Sequence, residues 1–390
     1  MYDLQKTLDR LIEGQVASGQ VKGASALVLY RGKEIYYNAF GYADAEKGRL
    51  MKRDTIIHLF SMTKPVTAAA VMILVERGEL DLRDPVSVYL PCFAKMKVWS
   101  DLEGEVAADR EITIFDLLTM TSGIVYPNEE NEPGRRMRSV LDGLVARRLT
   151  GERVDTQEFV RGIASVPLAF HPGTDWRYGY SADVLGGIVE AVSGRSYGEF
   201  LRKELFDPLE MPDTGFCIPG EKQARAAQFY EPAPDGTLHP FTGCHLGEYY
   251  GEDVAFESGG AGLVSTLDDY SHFASMLAHG GRYLDRRILG RKTVEFMVKN
   301  HLTEEQRRAL NWDSILGYGY GCLMRVLVDQ EADRGIVPPG EFGWDGWTGN
   351  YVAMDRKEDL VLLYFIQRCG AGTTPFIRKL RMAVYGALEM

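Results

Sequence analysis

The sequence predicts an α+β protein in which one antiparallel sheet is built from both ends of the chain. Runs rich in β-branched and aromatic residues lie near both termini, whereas apolar residues recur with helical spacing from about residue 110 to residue 300. Short turns between neighbouring runs favour antiparallel pairing. We therefore expect one composite domain, in which residues 1–85 and 300–390 form an α/β sheet part flanked by helices and residues 86–299 form a mainly helical part with long loops.

The N-terminal part begins with a helix and continues with two strands. Apolar residues between positions 4 and 12 form one stripe at helical spacing. The runs "GASALVLY" (23–30) and "KEIYYNAF" (33–40) are separated by Arg31-Gly32, which predicts a tight hairpin. The stretch "PVTAAAVMILV" (65–75) carries no charge, and a helix that is apolar all round is a buried one.

The C-terminal part returns to strands and ends in a helix. Strands are predicted for "GYGCLMRVLV" (319–328), "GNYVAMD" (349–355) and "DLVLLYFIQ" (359–367), and a helix for the last eighteen residues. In the middle of the chain, the polar stretch "YPNEENEPGRR" (126–136) contains two prolines and is typical of a mobile surface loop.

Charge and composition exclude several classes of function. The formal net charge is −11 and no basic block occurs, so nucleic acid and anionic membranes are not expected partners. No apolar stretch approaches the about 20 residues of a membrane span. The first residues have neither the basic start nor the continuous apolar core of a secretory signal, so we do not expect one. The five cysteines, among them Cys244, are scattered without a C-x-x-C pair, as in a reduced, cytoplasmic protein. We expect no cofactor and no metal, because the seven histidines form no H-E-x-x-H.

Ser196 lies in "GRSYG", which matches the G-x-S-x-G pattern of a nucleophile elbow. Such an elbow needs a strand directly before the serine, yet residues 183–193 have the spacing of a helix. Gly194 then suits the end of that helix, and Ser196 with Glu199 forms the S-x-x-E pattern that starts the next one. We therefore interpret Ser196 as a helix cap and not as a nucleophile.

Ser61 and Lys64 form an S-x-x-K tetrad where a short apolar run enters the uncharged helix. Residues three apart share one face of a helix, so the hydroxyl and the amine can meet. The positive end of the helix dipole favours negative charge on the serine, and dipole and burial both favour a neutral lysine that acts as a base. The alternative is a capping serine followed by a surface lysine.

Two further segments carry candidate residues. In "PGTDWRYGYSADVLGG" (172–187), Tyr178 lies in the approach to a helix, where a lysine ammonium nearby is expected to lower its pKa and let it relay protons. In "GEFGWDGWTGN" (340–350), glycines among aromatic residues indicate a backbone that another group approaches closely. A packed tyrosine and an ordinary hairpin turn are the alternatives.

Together and in this order, these segments resemble the serine β-lactamase and penicillin-binding superfamily. The resemblance is strongest to the class C β-lactamase-like branch, and within it to the carboxylesterases called family VIII, and it covers nearly the whole chain. The segments that carry it are "SMTKPVTAAAVMILVERGELDLRDPVSVYLP", "ITIFDLLTMTSGI", "PLAFHPGTDWRYGYSADVLGGIVEAVSG", "LFDPLEMPDTGF" and "SGGAGLVSTLDDY". It implies a β-lactamase/transpeptidase-like fold.

The resemblance also implies roles for individual residues. Ser61 is then the acylated nucleophile, Lys64 its base, and Tyr178 the tyrosine of the Y-x-N element. The oxyanion hole is formed by the backbone N–H groups of Ser61 and Trp347. We expect the substrate pocket to be lined by residues of the second and third motifs, namely Trp176, Tyr180, Trp344, Asp345 and Gly346.

This sequence departs from the β-lactamase pattern at two of the three motifs. Y-x-N becomes Tyr178-Gly179-Tyr180, and no lysine begins the third motif. Trp344-Asp345-Gly346 fits the W-G-G slot of the esterases, while an alternative alignment places Trp347-Thr348-Gly349 there. Without that cation, and with Asp345 present, a substrate carboxylate is disfavoured.

We therefore expect a serine carboxylesterase acting on small or medium esters. β-Lactamase, D-amino-acid peptidase or acyltransferase activity and a non-catalytic binding protein are the alternatives.

Overall fold

The computed structural model describes residues 3–241 and 254–388. Cys244, one of the five cysteines, lies outside the described residues. The α-helices in these ranges are α1 (Leu4–Ala17), α2 (Thr63–Glu76), α3 (Ile114–Leu118), α4 (Glu132–Leu149), α5 (Thr156–Ala164), α6 (Ser181–Ser193), α7 (Tyr197–Leu201), α8 (Leu267–Ala278), α9 (Arg291–Met297), α10 (Glu304–Arg307), α11 (Gln330–Asp333) and α12 (Pro375–Tyr385). The strands are β1 (Gly23–Tyr30), β2 (Lys33–Asp44), β3 (Arg49–Leu50), β4 (Ile57–His58), β5 (Lys97–Ser100), β6 (Gly104–Ala107), β7 (Tyr230–Pro232), β8 (Leu238–Pro240), β9 (Val264–Ser265), β10 (Arg282–Tyr283), β11 (Arg286–Arg287), β12 (Tyr318–Tyr320), β13 (Arg325–Leu327), β14 (Phe342–Asp345), β15 (Tyr351–Asp355) and β16 (Leu360–Ile366).

One eight-stranded sheet joins the two ends of the chain. Its order is β12-β13-β14-β15-β16-β1-β2-β3, and neighbouring strands are antiparallel. The N-terminal and C-terminal strands meet where β1 pairs with β16, with Leu27 opposite Leu363. The predicted fold class, an antiparallel sheet built from both chain ends with helices around it, is confirmed.

Alternating side chains of β16 bury both faces of this sheet. Leu362 and Tyr364 belong to an apolar cluster with Leu8 of α1 and Leu380 of α12, which cover one face. The next residue along, Phe365, points to the other face, where its ring lies 6.3 Å from that of Tyr270 in α8. A strand covered on both sides is apolar throughout, which is why its sequence shows no polar alternation.

Helix α2 lies at the centre of the molecule. Every residue from Thr63 to Leu74 is buried, as the uncharged stretch predicted. Pro65 falls in the first turn, where its missing N–H leaves no helical hydrogen bond unmade. Helix α6 packs against α2, α3, α5 and α7, so the helical layer is assembled around these two buried helices.

Residues 319–328 form two strands instead of the predicted single one. Between β12 and β13 the chain turns at Gly321, whose N–H donates to the carbonyl of Met324 at 2.8 Å. Leu323 adopts a left-handed backbone with φ of 54°. The turn is buried under the helical layer, with Leu323 N–H bonded to the Leu118 carbonyl, so its residues are as apolar as the strands. The hydrophobic pattern therefore shows no break.

Two absences within the described residues bear on function. Over residues 3–241 and 254–388, no helix combines the length and the apolar character that crossing a membrane requires. Within the same ranges, no group of three or more His, Cys, Asp or Glu side chains is arranged to hold a metal ion.

Candidate active site

Ser61 is presented by a tight turn between β4 and α2. The turn, Phe60–Met62, is a short 3-10 helix that runs directly into α2. Phe60 has a φ of 48°, a left-handed conformation that is strained for a bulky residue. Its ring is anchored 5.2 Å from Trp347 and 5.6 Å from Phe229. The turn leaves Ser61 partly exposed at the start of a buried helix.

Lys64 lies fully buried beside Ser61. Its Nζ is 3.2 Å from Ser61 Oγ, 2.9 Å from the hydroxyl of Tyr126 and 2.9 Å from the carbonyl oxygen of Gly260. Burial lowers the pKa of Lys64 to about 8, against the opposing attraction of the Asp183 and Asp345 carboxylates. The direction agrees with the sequence expectation, and a lysine of this pKa is partly neutral near neutral pH.

Tyr126 is a site residue that the sequence analysis missed, because residues 126–136 were interpreted as a surface loop. Its ring packs edge-to-face on Tyr178 and Tyr180, with centroids 5.4 and 4.5 Å apart, and only from Glu132 does the segment continue as α4. In the tertiary fold the chain leading into this segment lies against Gly179. A Cβ on this residue would lie 2.2 Å from the Ile124 carbonyl oxygen, so the chain before Tyr126 presses on the Tyr178 segment.

Tyr178 lies between Ser61 and Trp344. The indole Nε1 of Trp344 donates to the Tyr178 hydroxyl at 3.0 Å, and Lys64 Nζ is 4.6 Å from the centre of the phenol ring. Burial raises the pKa of Tyr178 above its ordinary value, while its hydrogen bonds with Ser61 and Trp344 oppose that shift. The expectation of a lowered pKa is therefore wrong, because burial outweighs these two hydrogen bonds. Tyr178 is a neutral phenol at neutral pH.

The two alignments of the third motif fall on different structures. Residues 344–346 lie at the end of β14, whereas residues 347–349 form the turn that leads to β15. A Cβ on Gly346 would lie 2.4 Å from the carbonyl oxygen of Leu59, so this strand end abuts the Ser61 turn. Trp347 follows at once, beside Phe60. This placement favours the first alignment.

Asp345 ends strand β14, in the third motif, and its carboxyl is held by a neighbouring hydroxyl group. Its Oδ2 accepts a hydrogen bond from Thr373 Oγ1 at 2.6 Å. Burial raises the pKa of Asp345, and the Thr373 hydrogen bond and the charges of Arg325 and Lys64 oppose this. The carboxyl is thus close enough to act on Lys64 electrostatically.

The aromatic wall beside Tyr178 differs from the predicted pocket. Trp176 and Trp344 are each only 2% exposed, so they offer little surface to a ligand. Both rings pack against the ring of Tyr178. Trp312, which the sequence did not single out, is 41% exposed, with its ring 5.6 Å from Trp176 and 5.5 Å from Tyr178. Tyr180 packs between Tyr126 and Phe159.

Ser196 has the structural role that its flanks predicted. It is the N-cap of α7, and its hydroxyl accepts a hydrogen bond from the N–H of Glu199. The preceding element is α6, a helix that ends at Gly194 in the left-handed conformation. An elbow serine would follow a strand, so the G-x-S-x-G match does not indicate a nucleophile here.

Comparisons with known proteins give a consistent relationship over the whole chain. The family model described as Beta-lactamase matches residues 8–386. Protein Rv1367c of Mycobacterium tuberculosis is 34% identical over 361 residues, which cover 90% of this chain and 87% of that protein. Esterase EstB of Burkholderia gladioli is 31% identical over 396 residues, covering 98% of this chain and 95% of the esterase.

A solved structure extends this relationship to the fold. EstCE1, described as a hydrolase with promiscuous acyltransferase activity, superposes with a TM-score of 0.83 at 26% sequence identity. The match covers 98% of each chain. The arrangement around Ser61 therefore lies in a fold that carries hydrolase chemistry in a similar protein.

Proposed function

The chain belongs to the Beta-lactamase family and is a serine hydrolase, and we propose that it is a carboxylesterase that forms an acyl-enzyme on Ser61. The observation that supports this most is the position of Lys64, whose buried Nζ lies 3.2 Å from the Ser61 hydroxyl. A base at hydrogen-bond distance from a partly exposed serine is what nucleophilic catalysis requires. The similarity to an esterase over almost the full chain supports the same reaction.

Lys64 is the base of the proposed first step. In its neutral form it accepts the Ser61 proton while Ser61 Oγ attacks the ester carbonyl carbon. Tyr178 is unsuited to this role, because its raised pKa keeps it protonated at neutral pH. It is suited to the opposite one: Tyr178 gives its proton to the departing alcohol, and the Lys64 ammonium replaces it. Water then attacks the acyl-enzyme and releases the acid.

The tetrahedral oxyanion needs donors that are already in place. We assign these to the backbone N–H groups of Ser61 and Trp347, which lie on segments held together by the Phe60–Trp347 ring contact and by the close approach of Gly346 to Leu59. A donor of this kind contributes about 3–4 kcal/mol in well-studied hydrolases.

Residue 344 favours esters over β-lactams. In the β-lactamase pattern a lysine begins the third motif and attracts the substrate carboxylate. Trp344 offers a neutral N–H that is already donated to Tyr178. When it is ionised, the Asp345 carboxylate next to Trp344 repels a substrate carboxylate. A neutral ester has no carboxylate for that lysine to attract, so the replacement of the lysine by Trp344 does not weaken its binding.

The proposed substrates are small or medium esters with an apolar group. Trp312 presents an exposed indole face next to Tyr178, and Trp347 and Phe60 form a second aromatic group beside Ser61. Apolar walls with a few polar groups at the reacting centre are typical of small-molecule sites.

A paired assay tests the proposal. Initial rates are measured with p-nitrophenyl butyrate and with a chromogenic cephalosporin, for the wild type, for Ser61→Ala and for the matched control Ser196→Ala. We expect ester turnover to exceed cephalosporin turnover, to vanish in Ser61→Ala and to persist in Ser196→Ala. Faster cephalosporin hydrolysis would assign the protein to the β-lactamases, and absence of both reactions would favour a binding protein.

Acyl transfer to an alcohol is the second candidate, since EstCE1 is described as having promiscuous acyltransferase activity. The acyl-enzyme is common to both reactions, and the acceptor alone differs. Adding a simple alcohol to the ester assay and measuring the new ester against the free acid separates the two. A product that is mainly free acid supports the hydrolase.

A further inference from the structure

Asp183 is a buried carboxylate beside the catalytic lysine that the proposed reaction does not use. It lies in the first turn of α6, two residues after Ser181, and is 1% exposed. Its Oδ1 accepts hydrogen bonds from the Ser258 hydroxyl and from the N–H of Gly260, the latter at 3.2 Å. A buried carboxylate is costly unless neighbouring groups satisfy it, so this placement calls for an explanation.

The segment from Ser258 to Leu263 lies between α2 and α6. On its α2 side, the Gly259 carbonyl accepts from Thr67 Oγ1 at 2.6 Å and the Gly260 carbonyl accepts from Lys64 Nζ at 2.9 Å. On its α6 side, a Cβ at Gly260 would lie 2.5 Å from Asp183 Oδ2. The hydrogen bond from Gly260 to Asp183 therefore fixes the carbonyl that Lys64 donates to.

Lys64 has three hydrogen-bond partners, and they are not equivalent. The Gly260 carbonyl can only accept, so it always takes one N–H of the lysine. When Lys64 is neutral, its second N–H goes to the Tyr126 oxygen and its lone pair faces Ser61 Oγ. If Gly260 moved, the lone pair would lose this direction.

The charges that act on Lys64 come from two elements. Asp183 on α6 and Asp345 on β14 are the carboxylates that attract its proton, with Asp183 the stronger of the two. Tyr126, Tyr178 and Tyr180 also face this space, and burial raises the pKa of each, so they are neutral. Toward α7, Asp183 also faces Tyr197, whose pKa burial likewise raises.

We propose that Asp183 is a positioning residue that holds the Gly260 carbonyl on Lys64 and, by its charge, sets the pH at which Lys64 loses its proton and becomes the base. This rests on the proposed function, in which neutral Lys64 deprotonates Ser61. Of the two carboxylates that oppose the effect of burial on the Lys64 pKa, Asp183 has the larger effect. The Lys64 charge in turn opposes the rise that burial causes in the pKa of Asp183. The same carboxylate thus orients the Lys64 amine and sets the pH at which it loses its proton.

The pH dependence of kcat/KM tests this. In the wild type we expect the acid limb to have its midpoint near the lysine pKa of about 8, because activity requires neutral Lys64. Asp183→Asn keeps an oxygen for Ser258 and Gly260 but removes the charge. The ammonium then loses its attraction and deprotonates more easily, so the midpoint moves down by about one pH unit. Asp183→Glu keeps the charge and is expected to keep the midpoint at a lower rate.

A purely structural role would give a different result. Asp183→Asn would then be slower at every pH with an unchanged midpoint, which would overturn the proposal. Asp183→Ser is the second neutral variant, for which the same downward shift is expected, and melting temperatures show which variants fold. If neither neutral variant folds, Asp183 is assigned to stability and the proposal fails. Ester turnover surviving in Ser61→Ala would instead overturn the proposed function itself.

Discussion

Two groups of largely buried charges lie close to the third motif, and they differ in how their charges are paired. The lysine cluster consists of Lys64, Asp183 and Asp345. Its members are held by hydroxyl groups and backbone, and no ion pair within 4 Å is formed between them in the described structure. Burial therefore dominates, and the pKa of Lys64 falls to about 8.

The arginine cluster consists of Arg325, Asp333, Glu341 and Arg381. Glu341 directly precedes β14, the strand that ends at Asp345. Glu341 pairs with Arg381 at 2.6 Å and with Arg325 at 3.6 Å, and Arg381 reaches Asp333 at 3.6 Å. Although burial lowers the pKa of Arg325, the neighbouring Tyr351 and Glu341 hold it above its ordinary value. Here the ion pairs outweigh burial.

The difference shows how burial serves catalysis in one place and stability in the other. A lysine can give up its proton when burial is incompletely compensated, whereas a guanidinium cannot. The lysine cluster keeps a group that titrates near neutral pH beside Ser61. The arginine cluster keeps fixed charges that join β13, the residue before β14, α11 and α12. The following substitutions test this contrast.

Replacing Lys64 has the largest expected effect on activity. Lys64→Ala removes the base, and we expect kcat/KM with p-nitrophenyl butyrate to fall by about 10³-fold or more. Lys64→Arg keeps a cation but cannot act as a base at any accessible pH, so an equal loss is expected. A Lys64→Arg variant that retained most of its activity would show that charge and not proton transfer matters here.

Replacing Glu341 is expected to act on stability. Glu341→Gln leaves Arg325 and Arg381 buried without their shared carboxylate, which costs about 3–5 kcal/mol in the free energy of unfolding. Chemical denaturation measures this. The control is Glu295→Gln, whose ion pairs with Arg291 and Lys292 are expected to contribute much less to the free energy of unfolding, because water and salt screen them. An equal loss in the free energy of unfolding for both variants would contradict the stabilising role assigned to Glu341.

Trp312 tests the aromatic wall beside Tyr178. Trp312→Ala removes the exposed indole face beside Tyr178, and we expect KM for p-nitrophenyl esters of bulky acids to rise about tenfold with kcat little changed, as for lost uniform binding. The acetate ester should be affected less. Leu284→Ala, at an exposed apolar residue on the β10–β11 hairpin, is the control. An unchanged KM for every ester would exclude Trp312 from the pocket.

Ser196 carries the smallest expected effect. Ser196→Ala removes the α7 cap, so the free energy of unfolding should fall by about 1 kcal/mol. Activity should be unchanged, in contrast with Ser61→Ala. Thermal unfolding and the ester assay on both variants separate a cap from a nucleophile, and lost activity in a folded Ser196→Ala variant would contradict this assignment.

The local pattern of apolar residues was enough to predict the helix and the strand around which the site is built. The uncharged stretch 65–75 could only be a buried helix, and the apolar run 359–367 became the central strand β16. The helical spacing of residues 183–193 was enough to reject Ser196, because the geometry of an elbow is local. Each of these conclusions depends on neighbours in sequence.

The missing parts of the site arise from contacts that are distant in sequence. Tyr126 meets Lys64 across 62 positions, and nothing in its polar surroundings distinguishes it from a loop tyrosine. Trp312 reaches Tyr178 only through the tertiary fold. The expected lowering of the Tyr178 pKa is wrong for the same reason, since burial by segments distant in sequence raises this pKa more than the hydrogen bonds with Ser61 and Trp344 lower it.

The central claim, that Ser61 is the nucleophile, is tested most directly by finding the residue that becomes covalently modified. The protein is treated with p-nitrophenyl diethyl phosphate, which transfers its phosphoryl group to an activated serine, and the modified peptide is located by tandem mass spectrometry. We predict a single diethylphosphoryl adduct on Ser61, lost in Ser61→Ala. An adduct on Ser196, or inactivation without modification of Ser61, would contradict the account.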